Sequence, residues 1–189
     1  MTFPRTLPWP SHLLTLEEWE ALPENEEFRF ELAEGVLSVS PQPHSWHQHA
    51  ANRFTHRSND QLPRELIALA EVEVVLADRP LTIRVPDVIV TRTALFDANP
   101  ARYVAPDVLL AVEVLSDGTR RVDRVLKFSE YADAGIPQYW IVDLGEPTSL
   151  TAYVLVDGDY ELSGEHTGTA ELDVAGHRVT VDLDALTRR

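Results

Sequence analysis

The chain predicts a mixed β-sheet flanked by helices, an α/β (α+β) fold with extra β-hairpins, and three observations carry that prediction. Apolar, β-branched runs at 81–84, 87–91, 108–115 and 138–143 are short enough to be strands, and stretches with helical apolar spacing separate them. Glycine, proline and aspartate punctuate the boundaries, notably Asp78-Arg79-Pro80, Asp117-Gly118 and Asp157-Gly158. No repeat, linker or low-complexity tract interrupts the 189 residues, a length that suits one well-buried core.

Pro4, Pro8 and Pro10 make residues 1–14 an extended arm ahead of a domain spanning 15–189. Thr15-Leu16-Glu17-Glu18 is a capping box that starts a short helix ending near Leu22. Phe28–Leu32 and Val36–Val39 flank Glu34-Gly35 as a hairpin. Residues 45–62 place Trp46, Ala50, Phe54 and Leu62 at helical spacing. Leu66–Leu76 reads as one strand, followed by strands at 81–84 and 87–91. Glu71 and Glu73 then fall on one solvated strand face. After strand 108–115, Thr119 caps a helix that runs to about Ala134, with Gly135 at its C′ position and Pro137 beyond. Strand 138–143 puts Tyr139, Trp140 and Ile141 in the core. Two strands around Asp157-Gly158, a β segment near Val179–Val181 and a short terminal helix complete the chain.

Composition narrows the function. No window approaches the ~18 uninterrupted apolar residues of a membrane span, and the first fourteen residues lack the apolar core of a signal peptide. The absence of cysteine excludes disulfides and thiolate metal sites and fits a cytoplasmic protein. A net charge of −15 stands against a generic nucleic-acid binder, whose affinity comes largely from phosphate contacts. Fifteen of the sixteen basic residues are arginines, and Lys127 is the one lysine. A compact ammonium can approach a single phosphoryl oxygen or a water where a guanidinium fork is too wide.

Carboxylates suggest the partner for that lysine. Asp87 and Asp107 each follow a proline, and Glu113 sits inside an apolar strand, where an unpaired carboxylate is costly. Asp107 lies six residues before Glu113, about 20 Å away along an extended strand, too far to share an ion. Asp87 opens a different strand that can lie alongside. If the helix after strand 108–115 folds back, its rise returns Lys127 to about the level of Glu113. Asp123, Lys127 and Tyr131 share one face of that helix. Each residue also has a purely structural reading: Asp87 as a turn residue, Glu113 in a buried ion pair with Lys127 or an arginine, and Lys127 as a helical partner of Asp123. His44, His47 and His49 do not share one helical face, so they do not suggest zinc.

The ordered set Val85-Pro86-Asp87-Val88, Val112-Glu113-Val114-Leu115-Ser116, Asp123-Arg124-Val125-Leu126-Lys127 and Tyr131 to Asp143 resembles the bacterial Uma-type restriction-endonuclease family of the PD-(D/E)XK superfamily. The resemblance covers about residues 15–160, and Glu31 and His47 also match its pattern. It implies a restriction-endonuclease-like fold and a metal-dependent endonuclease that cleaves nucleic acid, with DNA favoured over RNA and the choice left open, working as a homodimer. Asp87 and Glu113, with the Val114 carbonyl, would hold Mg²⁺ or Mn²⁺, and Glu31 would assist through a water or a second ion. Where the superfamily places its lysine two residues after the acid, this chain has Leu115, and Lys127 substitutes from the helix. Arg120, Arg121 and Arg124 would contact backbone phosphates, and His47 and Tyr131 would line the site. The turn Ser116-Asp117-Gly118-Thr119 departs from the family's pattern and adds an acid near the phosphate path. That departure and the overall acidity leave open a nuclease-fold binding module or a nuclease that needs a partner subunit.

Overall fold

The computed structural model describes residues 10–23, 27–115 and 122–187, with only the backbone described at 122–124. Ser116 to Arg121, including Thr119, Arg120 and Arg121, lie outside these residues, as does the Arg124 side chain.

A capping box at Thr15 opens α1 (Leu16–Glu20): the Thr15 hydroxyl accepts from the Glu18 amide, and Glu18 returns a carboxylate to the Thr15 amide. β1 (Phe28–Ala33) and β2 (Val36–Pro41) form a hairpin. Glu34 and Gly35, at φ 51° and 79°, supply the two left-handed positions of its tight turn. α2 (Ser45–Asn59) follows, then β3 (Leu66–Ala70), β4 (Val74–Asp78), β5 (Leu81–Arg84) and β6 (Val88–Arg92).

The single strand expected over Leu66–Leu76 is two strands in two different sheets. Glu71 turns the backbone into the left-handed region at φ 53°, and its amide donates to the Asp87 carbonyl. Glu71 and Glu73 therefore lie in a connection instead of on a solvated strand face. They pair with Arg29 and with Trp19 and Arg102, respectively. A further helix, α3 (Thr93–Asp97), and a two-residue strand, β7 (Tyr103–Val104), carry no signal in the sequence strong enough to predict them.

β8 (Val108–Val114) is buried along nearly its whole length. The helix expected after it resolves into a π-helical turn at Val122–Lys127 that continues into α4 (Phe128–Asp133). Gly135 (φ 79°) ends it in a Schellman motif, with Ile136 N–H donating to the Tyr131 carbonyl and Gly135 N–H to that of Ala132. β9 (Gln138–Asp143), β10 (Ser149–Val156) and β11 (Asp159–Thr167) follow. The expected β segment near Val179–Val181 is half of a hairpin of β12 (Thr169–Val174) and β13 (His177–Asp182), and the terminal helix is a 3₁₀ turn at Asp184–Leu186.

Six strands in the order β11-β10-β9-β8-β6-β3 form the central sheet, antiparallel except for the β8–β9 pair. Five strands in the order β2-β1-β5-β4-β7 form the second sheet. One face of the central sheet packs Val88, Val112, Val114 and Trp140 beneath α2 and the β12–β13 hairpin, with Phe54 edge-on to Trp140. The other face packs Ile89, Ala111, Tyr139 and Ile141 against α4. Tyr139, Trp140 and Ile141 are core, as expected. Alternation along β8 thus places Glu113 on the α4 side, in line with Ala111 and Leu115.

A Cβ at Gly135 meets nothing within 4 Å, so Gly135→Ala tests backbone conformation alone. The left-handed geometry should cost about 1 kcal/mol, read as a lower urea midpoint at unchanged m-value.

Candidate active site

The site forms where β6 begins and β8 ends. Val88 pairs with Val112, so Asp87, one residue outside the ladder, sits across from Glu113. Asp87 is almost fully buried and anchored on three sides. Its Oδ2 accepts from the Val114 amide at 2.7 Å and lies 3.0 Å from His47 Nε2, and its Oδ1 accepts from Arg29 at 2.9 Å. Val114 thus meets Asp87 through its N–H.

Glu113 Oε1 accepts from Lys127 Nζ at 2.9 Å and from the Tyr131 hydroxyl at 2.6 Å. The turn-to-helix passage brings both donors over the same strand position. Lys127 Nζ also lies 3.3 Å from Glu31 Oε1. Glu31 comes from β1, where period-two alternation puts Arg29 and Glu31 on the site face and Phe30 and Leu32 in the opposite core. The Val85 amide donates to the same Glu31 oxygen at 3.0 Å, and Arg84 donates to the other at 3.1 Å. Arg84, 1% exposed, closes a ring by a bidentate bond to Glu130 on α4, at 2.6 and 2.7 Å.

The electrostatics follow from this crowding. Burial opposes ionisation of Asp87, but His47, Arg29 and Lys127 overcome it and hold the carboxyl below its ordinary value. Glu31 is likewise held low, with Lys127 and Arg84 outweighing burial. His47 is raised because its bond to Asp87 outweighs desolvation, and its Nδ1 is buried without a hydrogen-bond partner among the described residues. Burial and the Glu113 charge push the Tyr131 phenol well above its usual range, which keeps it a neutral donor.

Asp87, Glu113, Lys127, Glu31, His47 and Tyr131 therefore converge, as the sequence suggested. Arg29, Arg84 and Glu130 join them unpredicted. A signal existed for Arg29, which shares the strand period of Glu31; Arg84, at a strand end, offers none.

Among the described residues no group of three or more His, Asp or Glu side chains forms a ready cation site. The donor set still fits a hard divalent ion. Mg²⁺ is commonly held by one or two carboxylates while keeping several waters, and Asp87 and Glu113 supply two on facing strand positions.

The fold, a mixed sheet flanked by helices, is that of the restriction-endonuclease-like class. A family model, Uma2, described as "Putative restriction endonuclease", matches residues 16–184, and the chain belongs to that family. No curated protein matches the sequence. Among solved structures, the fold is similar to a "putative nuclease belonging to DUF820" from Anabaena variabilis ATCC 29413, with TM-score 0.69 and 19% identity, covering 92% of this chain and 97% of that one. No described helix is long and apolar enough to cross a membrane.

Because the folded pKa of Glu31 lies below its unfolded value, its contribution to stability is full above the unfolded value and disappears as pH falls through the folded one. Urea midpoints measured from about pH 7 downward should therefore fall less steeply in Glu31→Gln than in wild type. Arg84→Met should cost about 3–5 kcal/mol in the same assay, because Glu31 and Glu130 lose their shared buried partner.

Proposed function

We propose that the protein is a metal-dependent endonuclease hydrolysing phosphodiester bonds in DNA. The observation that carries this reading is Lys127 Nζ at 2.9 Å from Glu113, itself across from Asp87 where β6 begins and β8 ends. Asp87 and Glu113, with the Val114 carbonyl, would hold Mg²⁺ or Mn²⁺. The bound ion would acidify a water and neutralise charge developing on the phosphate.

The chain's own residues divide the remaining work. Lys127 is anchored by two carboxylates and presents its ammonium where a phosphoryl oxygen or attacking water would lie, so its charge is positioned before substrate arrives. Tyr131 donates to Glu113 and fixes the orientation of that carboxylate. Arg29 and His47 hold Asp87 ionised. Glu31 restrains Lys127 from the second sheet. Arg120, Arg121 and Arg124 are proposed to meet backbone phosphates.

Supercoiled plasmid incubated at low salt with Mg²⁺ or Mn²⁺ should be nicked by wild type and not in EDTA. Lys127→Ala should lose about 10²–10³-fold in rate, the usual effect of removing one positioned charge donor. Asp87→Asn should lose activity and also the rise in melting temperature that the ion gives wild type. Wild-type rates from Lys127→Ala would remove the lysine from the mechanism. No cleavage of plasmid, single strands or RNA by any of them would leave a nuclease-fold binding module or an enzyme awaiting a partner.

A further inference from the structure

Trp46 is 70% exposed, more than any other large apolar side chain among the described residues. It stands in the first turn of α2, and the next residue, His47, reaches Asp87 at 3.0 Å. Trp46 therefore neighbours in sequence a residue that contacts Asp87, on the α2 side of the central sheet. It also lines a cavity of about 590 Å³ together with Leu144, Glu146, Pro147, Thr148 and Asp184. β8 and β9 run parallel and finish together, with Leu115 N–H donating to the Val142 carbonyl. The loop that follows β9 and walls this cavity therefore leaves the sheet at the end that carries Glu113 and Asp87.

We infer that this cavity is a nucleobase subsite: an unpaired base next to the scissile phosphate stacks on Trp46, and the natural substrate is single-stranded or locally unpaired nucleic acid. The inference rests on the nuclease reading above and names its substrate. Three features choose the occupant. An aromatic face accepts the π-face of any base, so stacking adds affinity whatever the base sequence. Glu146 disfavours a phosphate here, whereas a carboxylate accepts hydrogen bonds from the exocyclic amino groups of bases. A base inside a duplex has both faces covered by its neighbours, so only an unpaired one can use the indole. A chain of net charge −15 then binds its substrate chiefly through bases, with a weak dependence on salt.

The test uses fluorescein-labelled single-stranded DNA and the matching duplex, with anisotropy measured over a salt series in the Lys127→Ala background. The single strand should bind more tightly than the duplex and with the shallower salt slope. Adding Trp46→Ala should weaken single-strand binding about 5- to 150-fold, and Trp46→Phe should restore most of it. Because Trp46 is exposed, its loss leaves the fold intact, which the thermal midpoint checks. In the otherwise wild-type enzyme, Trp46→Ala should raise KM on single strands with kcat changed less than about twofold.

Equal binding by Trp46→Ala, or duplex preference with a steep salt slope, would overturn the subsite while plasmid nicking kept the nuclease reading alive. Loss of a dimer in sedimentation, with oligonucleotide binding unchanged, would overturn it in favour of a contact between copies. Single-strand binding that depends on Trp46, with no cleavage under any metal, would uphold the subsite and sink only the nuclease reading.

Discussion

A fully buried guanidinium organises this molecule. Arg84 ends a strand of the second sheet, yet its bidentate partner, Glu130, belongs to the helix that packs on the central sheet. Its remaining bond goes to Glu31 on a neighbouring strand. Burying such a charge is costly unless each donor is met, so the two sheets have few relative positions in which Arg84 is satisfied. Glu31, fixed in this way, fixes Lys127 in turn, and the ring closes on the helix where it began. Packing in the core alone, through Ile83 and Leu32 on one side and Tyr131 and Tyr139 on the other, would leave more freedom.

Local signals in the sequence were legible wherever they answered to short-range chemistry. Thr15 caps a helix because its hydroxyl and Glu18 satisfy each other's neighbouring amides. Gly135 ends one because no Cβ opposes a left-handed backbone. Strand length alone separated Asp87 from Asp107 as the partner of Glu113, and Asp107 indeed closes a 3₁₀ turn before β8, with its carboxylate on the Val104 amide. The order of motifs placed Glu31 and His47, which no spacing argument would have joined to the cluster.

Long-range choices were not legible. Residues 66–76 look like one strand because seven of the eleven are Leu, Ile or Val and no Gly or Pro breaks the run; what divides them is Glu71, whose side chain finds Arg29 and whose amide finds the carbonyl of Asp87. Both partners are distant in sequence. Arg84 likewise resembles any exposed strand terminus until Glu31 and Glu130 arrive from either side. Such residues gain meaning only from tertiary neighbours, and a period-two pattern reports which face a charge occupies without naming what it meets.

The π-helical turn over Val122–Lys127 carries a consequence for how the chain can change. A π turn holds one more residue than an α turn between the same two ends. Lys127 is the last residue of that turn and runs straight into α4, whose Tyr131 and Ala132 lie in the core, so the surplus residue sets the aim of the chain that leads into Lys127. Losing one residue before Lys127 would let the segment relax into an ordinary α-helix and turn the incoming chain about the helix axis, while α4 keeps the ammonium on Glu113. For this part of the chain, length is as much a determinant of direction as composition. An insertion or deletion here would redirect the segment that precedes Lys127 more sharply than most substitutions.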